Sequence, residues 1–152
     1  MTSNFAEEDQ VRTLYKDLLH QWNEQKAQGM ANLFMHNGSL VGFDGSQVNG
    51  AKEIEAHLKP IFASFPTARF ISIVREVRGL SAETALLRAT VGMIPRGHFD
   101  INPAVNAIQS LVAVKQNGQW RVAHFQNTPA AFHGRPEEAE KLSKELRAVI
   151  FN

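Results

Sequence analysis

The stretch NAIQSLVAVKQNGQWRVAHFQNT (106–128) decides how this chain folds. It reads as two strands joined at Asn117-Gly118. Asn-Gly between apolar, β-branched runs marks a tight hairpin, because both residues tolerate positive φ. The second arm alternates: Trp120, Val122, His124 and Gln126 take one face, and Arg121, Ala123, Phe125 and Asn127 the other. Each face carries a ring and an amide. That pattern suits a sheet with two occupied surfaces, a pocket on one and a partner on the other. It also suits strand ends that run polar as they reach solvent.

Upstream, RFISIVREVR (69–78) reads as a long strand, with a turn at Leu80 to Ala82 and a further strand over 85–94. In that strand Ala85, Leu87, Ala89, Val91 and Met93 share one apolar face. PRGHFDINP (95–103), bounded by prolines, is a loop longer than a usual hairpin connection. It holds His98 and Asp100 two residues apart. One such pair falls short of a metal site, since a closed zinc site needs four ligands and their supporting shell. Downstream, Pro136 followed by Glu137, Glu138 and Glu140 opens a last helix carrying Leu142, Leu146, Val149 and Ile150 on one side.

At the other end, Ser3 or Asn4 can cap a helix whose apolar stripe is Val11, Leu14, Tyr15, Leu18, Leu19 and Trp22. The pattern predicts that it runs to about Gln28 and stops at Gly29. Met30 to Met35 reads as a short helix broken by His36-Asn37-Gly38. A short strand over Ser39 to Phe43, a turn at Asp44-Gly45 and a return over Ser46 to Asn49 follow. Gly50 to Phe65 is a helix that Pro60 kinks or splits. Two residues here invite chemistry. Asp44 is either a turn residue or an acid-base group at a cavity mouth. His57 is the one polar group on an apolar helix face. It is either a core histidine bonded to a carbonyl or a group aimed into a cavity.

The 152 residues fit one domain spanning 1–152, with 43% hydrophobic residues. Sixteen basic and 15 acidic side chains leave a net charge of +1, which gives no electrostatic reason to expect nucleic acid or an anionic membrane. No apolar run is long enough to span a bilayer. The start MTSNFAEEDQ lacks the features of a signal peptide, so a cytoplasmic protein is expected. With no cysteine, disulfides and thiolate chemistry are excluded. There is no P-loop, dinucleotide fingerprint, GxSxG elbow or HExxH, and no cofactor is expected. Strands linked by tight turns make a curved antiparallel sheet, and helices covering one face give an α+β domain with a hollow.

The segments WNEQKAQGMANLF (22–34), Gly50 to Ile54 and NGQWRVAHFQNT (117–128) resemble the nuclear transport factor 2-like superfamily. The tail PAAFHGRPEEAEKLSKELR (129–147) is similar to the ending of its SnoaL-like, SgcJ/EcaC-type members. The resemblance implies a cone-shaped sheet with N-terminal helices over its concave face, plus a C-terminal helix. It implies a cavity faced by Leu18, Trp22, His57, Met93, Ser110, Phe125 and Asn127, with Ile108, Val112 and Ala123 on the same side. It turns Trp120, Val122, His124 and Gln126 to the outer sheet face, through which a homodimer forms. The catalytic groups of ketosteroid isomerases fall on Leu18, on Gly42 and near Ser110 here, so the resemblance does not carry that chemistry over. Three functions stay open: binding of a small apolar or aromatic molecule; isomerase, cyclase or dehydratase chemistry with His57 or Asp44 moving a proton; and a structural or interaction dimer.

Overall fold

The computed structural model describes residues 5–151. The expected cap at Ser3 or Asn4 lies outside them. Helix α1 (Phe5–Asn23) is followed by α2 (Ala27–Ala31), β1 (Phe34–Val41), β2 (Gln47–Asn49) and α3 (Ala51–Ser64). Then come β3 (Arg69–Ser81), β4 (Thr84–Ile94), a 3₁₀ turn (Pro103–Val105), β5 (Ala107–Gln116), β6 (Gln119–Pro129) and α4 (Pro136–Ile150). This is an α+β domain, as the element order predicted. None of the described helices is long and apolar enough to cross a membrane.

The six strands form one curved sheet in the order β2-β1-β6-β5-β4-β3. The hairpin at its centre is as read: Asn117 and Gly118 both take positive φ, 51° and 79°. The sheet is mixed rather than purely antiparallel, because β1 runs parallel to β6. β2, α3 and the strands β3 to β5 lie between β1 and β6 in the chain, so no tight turn dictates the direction of β1.

The N-terminal half departs from the expected boundaries. Helix α1 ends at Asn23 because Gln25 adopts a left-handed conformation, φ 54°. Its side-chain Nε2 donates to Phe65 O at 2.7 Å and to Thr67 Oγ1 at 3.1 Å, which stabilises the break. Gly29 does not stop a helix but sits within α2, where a Cβ would run into the Gln21 side chain. The short helix expected over Met30 to Met35 is present but lies upstream, as Ala27–Ala31. The strand begins at Phe34 and includes His36-Asn37-Gly38. Pro60 stands inside α3 without splitting it.

The inner face of the sheet and helices α1 to α3 enclose the main core. Tyr15, Leu18, Leu87, Leu111 and Val122 are fully buried there. Each aliphatic side chain removed from water in this way contributes about 1.5–3 kcal/mol. Helix α4 covers the outer face at β3 and β4. Leu142 and Leu146 pack with Ile94, Ile101, Ile71 and Ile73 in a second cluster. Ion pairs Arg75–Glu145 at 3.1 Å and Arg147–Asp100 at 3.0 Å flank it.

Two features of the sheet overturn expected orientations. Ser110 is paired with Arg88 and Gln126, Ile108 with Thr90, and Val112 with Leu86 and His124, so all three point outward. Ala107, Gln109, Leu111 and Ala113 are the buried residues of β5. Both sets contain apolar residues, so the alternation alone did not fix the side. The second feature is a β-bulge. Val112 pairs with His124 but Ala113 pairs with Val122, leaving Ala123 as an extra residue. It reverses the alternation, so Val122 is buried and Trp120 Nε1 donates to Gln10 Oε1 of α1 at 3.1 Å. Trp120 and Val122 thus lie on the helix side, and Ala123 is no longer in line with Phe125. Only His124 and Gln126 of the expected outer set remain outside.

Candidate functional site: an apolar cavity between helices and sheet

A cavity of about 300 Å³ opens between α1, α3 and the inner sheet face. Trp22 comes from the last turn of α1, His57, Leu58 and Ile61 from α3, and Phe70 and Met93 from the β3–β4 pair. Phe125 and Asn127 come from β6, and Leu40 to Asp44 from the end of β1 and the turn beyond. β6 supplies alternate residues, as a pleated wall requires, whereas the end of β1 lines the cavity with consecutive ones.

Trp22 organises one wall. Its Nε1 donates to Ala68 O at 2.9 Å, leaving the ring face for packing. The ring lies 5.2 Å from Phe62, edge-on at 76°, and 5.2 Å from Phe70, tilted at 30°. These are favourable aromatic separations, and they hold the wall in one shape.

Among the seven side chains expected to bind and the two expected to carry protons, His57 being in both sets, the structure brings Trp22, His57, Met93, Phe125, Asn127 and Asp44 to this one space. Leu18 and Ser110 are not part of the lining. Leu18 lies one turn before Trp22 on the same stripe, and there the helix is already packed onto the sheet. Ser110 is on the opposite sheet face for the register reason given above. Met30, Phe43, Leu58 and Phe70 line the cavity without having been singled out. The burial of Phe70 was implicit in the alternation of RFISIV; the Met30 position depended on the unforeseen end of α1.

The polar groups differ in their surroundings. Half-buried His57 makes no hydrogen bond within the described residues, so the reading as a core histidine bonded to a carbonyl does not apply. Asp44 sits at the mouth, where its Oδ1 accepts from Ser46 N at 2.9 Å. Hydrogen bonds from Ser46, with a small contribution from the His57 charge, hold its carboxyl below the usual carboxylate range. Asp44 is thus both the turn residue and a charge at the cavity mouth. Asn127 is only 7% exposed. Its Oδ1 receives Gln109 Nε2 at 3.4 Å, and Gln109 Oε1 in turn accepts from the Tyr15 hydroxyl at 2.6 Å. Sequence reading treated Tyr15 as an apolar stripe residue and missed this chain. A Tyr and a Gln both falling on buried faces was its only signal.

No three His, Cys, Asp or Glu side chains gather as a metal-binding group among the described residues. Asp100 is occupied by Arg147 and by the Ile101 backbone N–H, and the Arg147 hydrogen bond, with that N–H, holds its carboxyl below the usual range.

No family model matches the chain, and no curated protein sequence matches it. Solved structures do. A domain of unknown function with a cystatin-like fold from Nostoc punctiforme superposes with a TM-score of 0.79 at 22% identity, covering 96% of this chain and 97% of that one. A ketosteroid isomerase-like protein from Erwinia carotovora atroseptica matches with a TM-score of 0.67 at 16% identity, over 84% of this chain and 99% of that one. An NTF-2 like protein of unknown function from Shewanella oneidensis matches with 0.65 at 16% identity, over 79% and 97%. The chain has the nuclear transport factor 2-like fold. None of the three positions that the sequence resemblance sets against the isomerase groups carries an acid or a phenol. Leu18 is core, Gly42 lines the cavity without a side chain, and Ser110 is outside.

Proposed function

We propose that the protein binds a small apolar or aromatic molecule in the cavity between α1, α3 and the sheet. The lining carries this reading: Trp22, Phe70, Met93 and Phe125 wall a space of about 300 Å³, with Asp44, His57 and Asn127 as its polar side chains. Small-molecule sites fall at roughly 300–1,000 Å³, mostly apolar with a few convergent polar groups. The test is calorimetric titration with tetralin, a bicyclic hydrocarbon of suitable size. Gly42→Leu is the control, because a Cβ at Gly42 meets only ordinary contacts and the added side chain fills the cavity. Saturable binding by the unsubstituted protein, abolished by Gly42→Leu, supports the reading. Binding unaffected by Gly42→Leu contradicts it.

A second reading, an isomerase-, cyclase- or dehydratase-type enzyme, draws on the unpartnered ring of His57. A proton carrier needs a free nitrogen within reach of substrate, and His57 makes no hydrogen bond among the described residues. Asp44, held ionised, is a weak base but a suitable neighbour for an imidazolium. The readout is deuterium exchange next to the carbonyl of 1-tetralone in heavy water. Exchange accelerated by the protein and lost in His57→Phe supports catalysis; exchange at the solvent rate removes it.

The tail over 129–147 is the support for kinship with the SgcJ/EcaC-type proteins within the fold. For the quaternary state we retain a homodimer through the outer sheet face, now centred on Ile108, Ser110, Val112, His124 and Gln126. Half-buried apolar residues beside that polar pair are its support. A monomeric mass at micromolar concentration would refute it.

A further inference from the structure

We propose that Tyr15 and Gln109 are positioning residues that hold the Asn127 carboxamide with its NH₂ group toward the cavity, and that the ligand taken there carries an acceptor oxygen on a planar apolar body. A ketone is the simplest such molecule. The inference rests on the reading of the cavity as a ligand site and specifies the ligand class.

The argument is one of hydrogen-bond direction. Tyr15 is fully buried on α1, and Gln109 is fully buried on β5. Between Tyr15 Oη and Gln109 Oε1 the distance is 2.6 Å. That length belongs to O–H···O bonds, about 2.5–3.0 Å, and lies below the range of about 2.7–3.2 Å for N–H···O. The atom of Gln109 facing Tyr15 is therefore its oxygen, and the tyrosine donates. Burial pushes the Tyr15 phenol up, more than a hydrogen bond with Ser72 lowers it, so the proton needed for donation stays in place across the neutral range.

A carboxamide has one oxygen and one NH₂. With its oxygen committed to Tyr15, Gln109 turns Nε2 to Asn127 Oδ1 at 3.4 Å. Asn127 is thereby left with Nδ2, which has no hydrogen-bond partner among the described residues. Asn127 is 7% exposed and lines the cavity. Reversing Asn127 would set its NH₂ against that of Gln109, and the buried pair would lose its bond. The order α1 hydroxyl, β5 amide, β6 amide thus turns two N–H groups toward a mostly apolar chamber. An acceptor oxygen on the ligand would pair this donor, a hydrogen bond that a plain hydrocarbon cannot supply.

The test uses a matched pair, 1-tetralone and tetralin, which share a skeleton and differ by one carbonyl oxygen. Affinities are measured by calorimetry for the unsubstituted protein, Asn127→Leu and Tyr15→Phe. The expected result is a tetralone-to-tetralin affinity ratio that falls about tenfold in Asn127→Leu, the scale of one hydrogen bond. In Tyr15→Phe, where Gln109 is free to turn, the ratio falls by a smaller factor. General loosening of the fold would weaken both ligands together and leave the ratio unchanged. A second measurement stands if either variant fails to fold. The Asn127 side-chain NH₂ proton resonances of the unsubstituted protein shift with tetralone more than with tetralin. Equal shifts, or a ratio unchanged in Asn127→Leu, overturn the donor assignment while the cavity reading stands. Binding of neither compound overturns both.

Discussion

The Tyr15 hydroxyl donates a 2.6 Å hydrogen bond to Oε1 of Gln109, joining α1 to the middle of the sheet inside the main core. Both side chains are fully buried, so the bond is shielded from water. Gln109→Leu removes the acceptor of the hydroxyl and is expected to cost about 1–3 kcal/mol in urea unfolding. Adding Tyr15→Phe removes the donor that lost it, so the double variant is expected to lose less than the sum of the two single variants. Additive losses would show that the two groups are not coupled.

Trp22 combines a hydrogen bond to Ala68 O with ring contacts to Phe62 and Phe70. Trp22→Ala is expected to destabilise by about 3 kcal/mol, the low end for truncating an aromatic, because part of the ring already faces the cavity. Trp22→Phe keeps ring packing and loses only the indole N–H, with an expected loss of about 1 kcal/mol. Equal losses in chemical denaturation would contradict this division.

The bulge at Ala123 sets which side of the sheet Trp120 and Val122 occupy. Deleting Ala123 restores simple alternation and moves both to the outer face. The expected result is loss of the folded state, seen as a lost cooperative thermal transition. Ala123→Ser, which keeps the count, is expected to shift stability by less than about 1 kcal/mol. A deletion variant that unfolds at the original temperature would refute the role of the bulge.

That bulge also marks where the sequence stopped being legible. The Asn-Gly turn, the β3–β4 strands, α3 and α4 follow from local turn chemistry and periodicity, which single residues report faithfully. The inner faces of β5 and β6 do not. In AIQSLVAVKQ both faces carry apolar residues, and one inserted residue in β6 exchanges inside for outside. The end of α1 was misplaced because Gly29 looked like a stop, whereas the break comes from Gln25 reaching Phe65 and Thr67 far along the chain. Of the site, Trp22, His57, Met93, Phe125 and Asn127 are turned toward one cavity by the resemblance rather than by periodicity, and they line it. The chain from Tyr15 to Asn127 was not legible, since it pairs residues 94 and then 18 positions apart.

Acid should reveal the Asp100–Arg147 link. The Arg147 hydrogen bond holds the Asp100 carboxyl below its usual value of 3.8. A carboxylate with a lowered folded-state pKa stabilises the fold above its unfolded value, and that contribution is lost as pH falls through the folded value. Asp100→Asn is therefore expected to lower stability near neutrality and to flatten its decline below about pH 4. Screening keeps the effect small, and it should shrink further in high salt. An identical pH profile for Asp100→Asn would contradict the link.

The most direct test of the central claim is a crystal structure of the protein soaked with 1-tetralone. The account predicts density within the cavity, against Trp22, Phe70 and Phe125, with the carbonyl oxygen at Asn127 Nδ2. A cavity closed by Trp22 and Met93 in the soaked crystal, with the compound absent or lodged elsewhere on the surface, would contradict it.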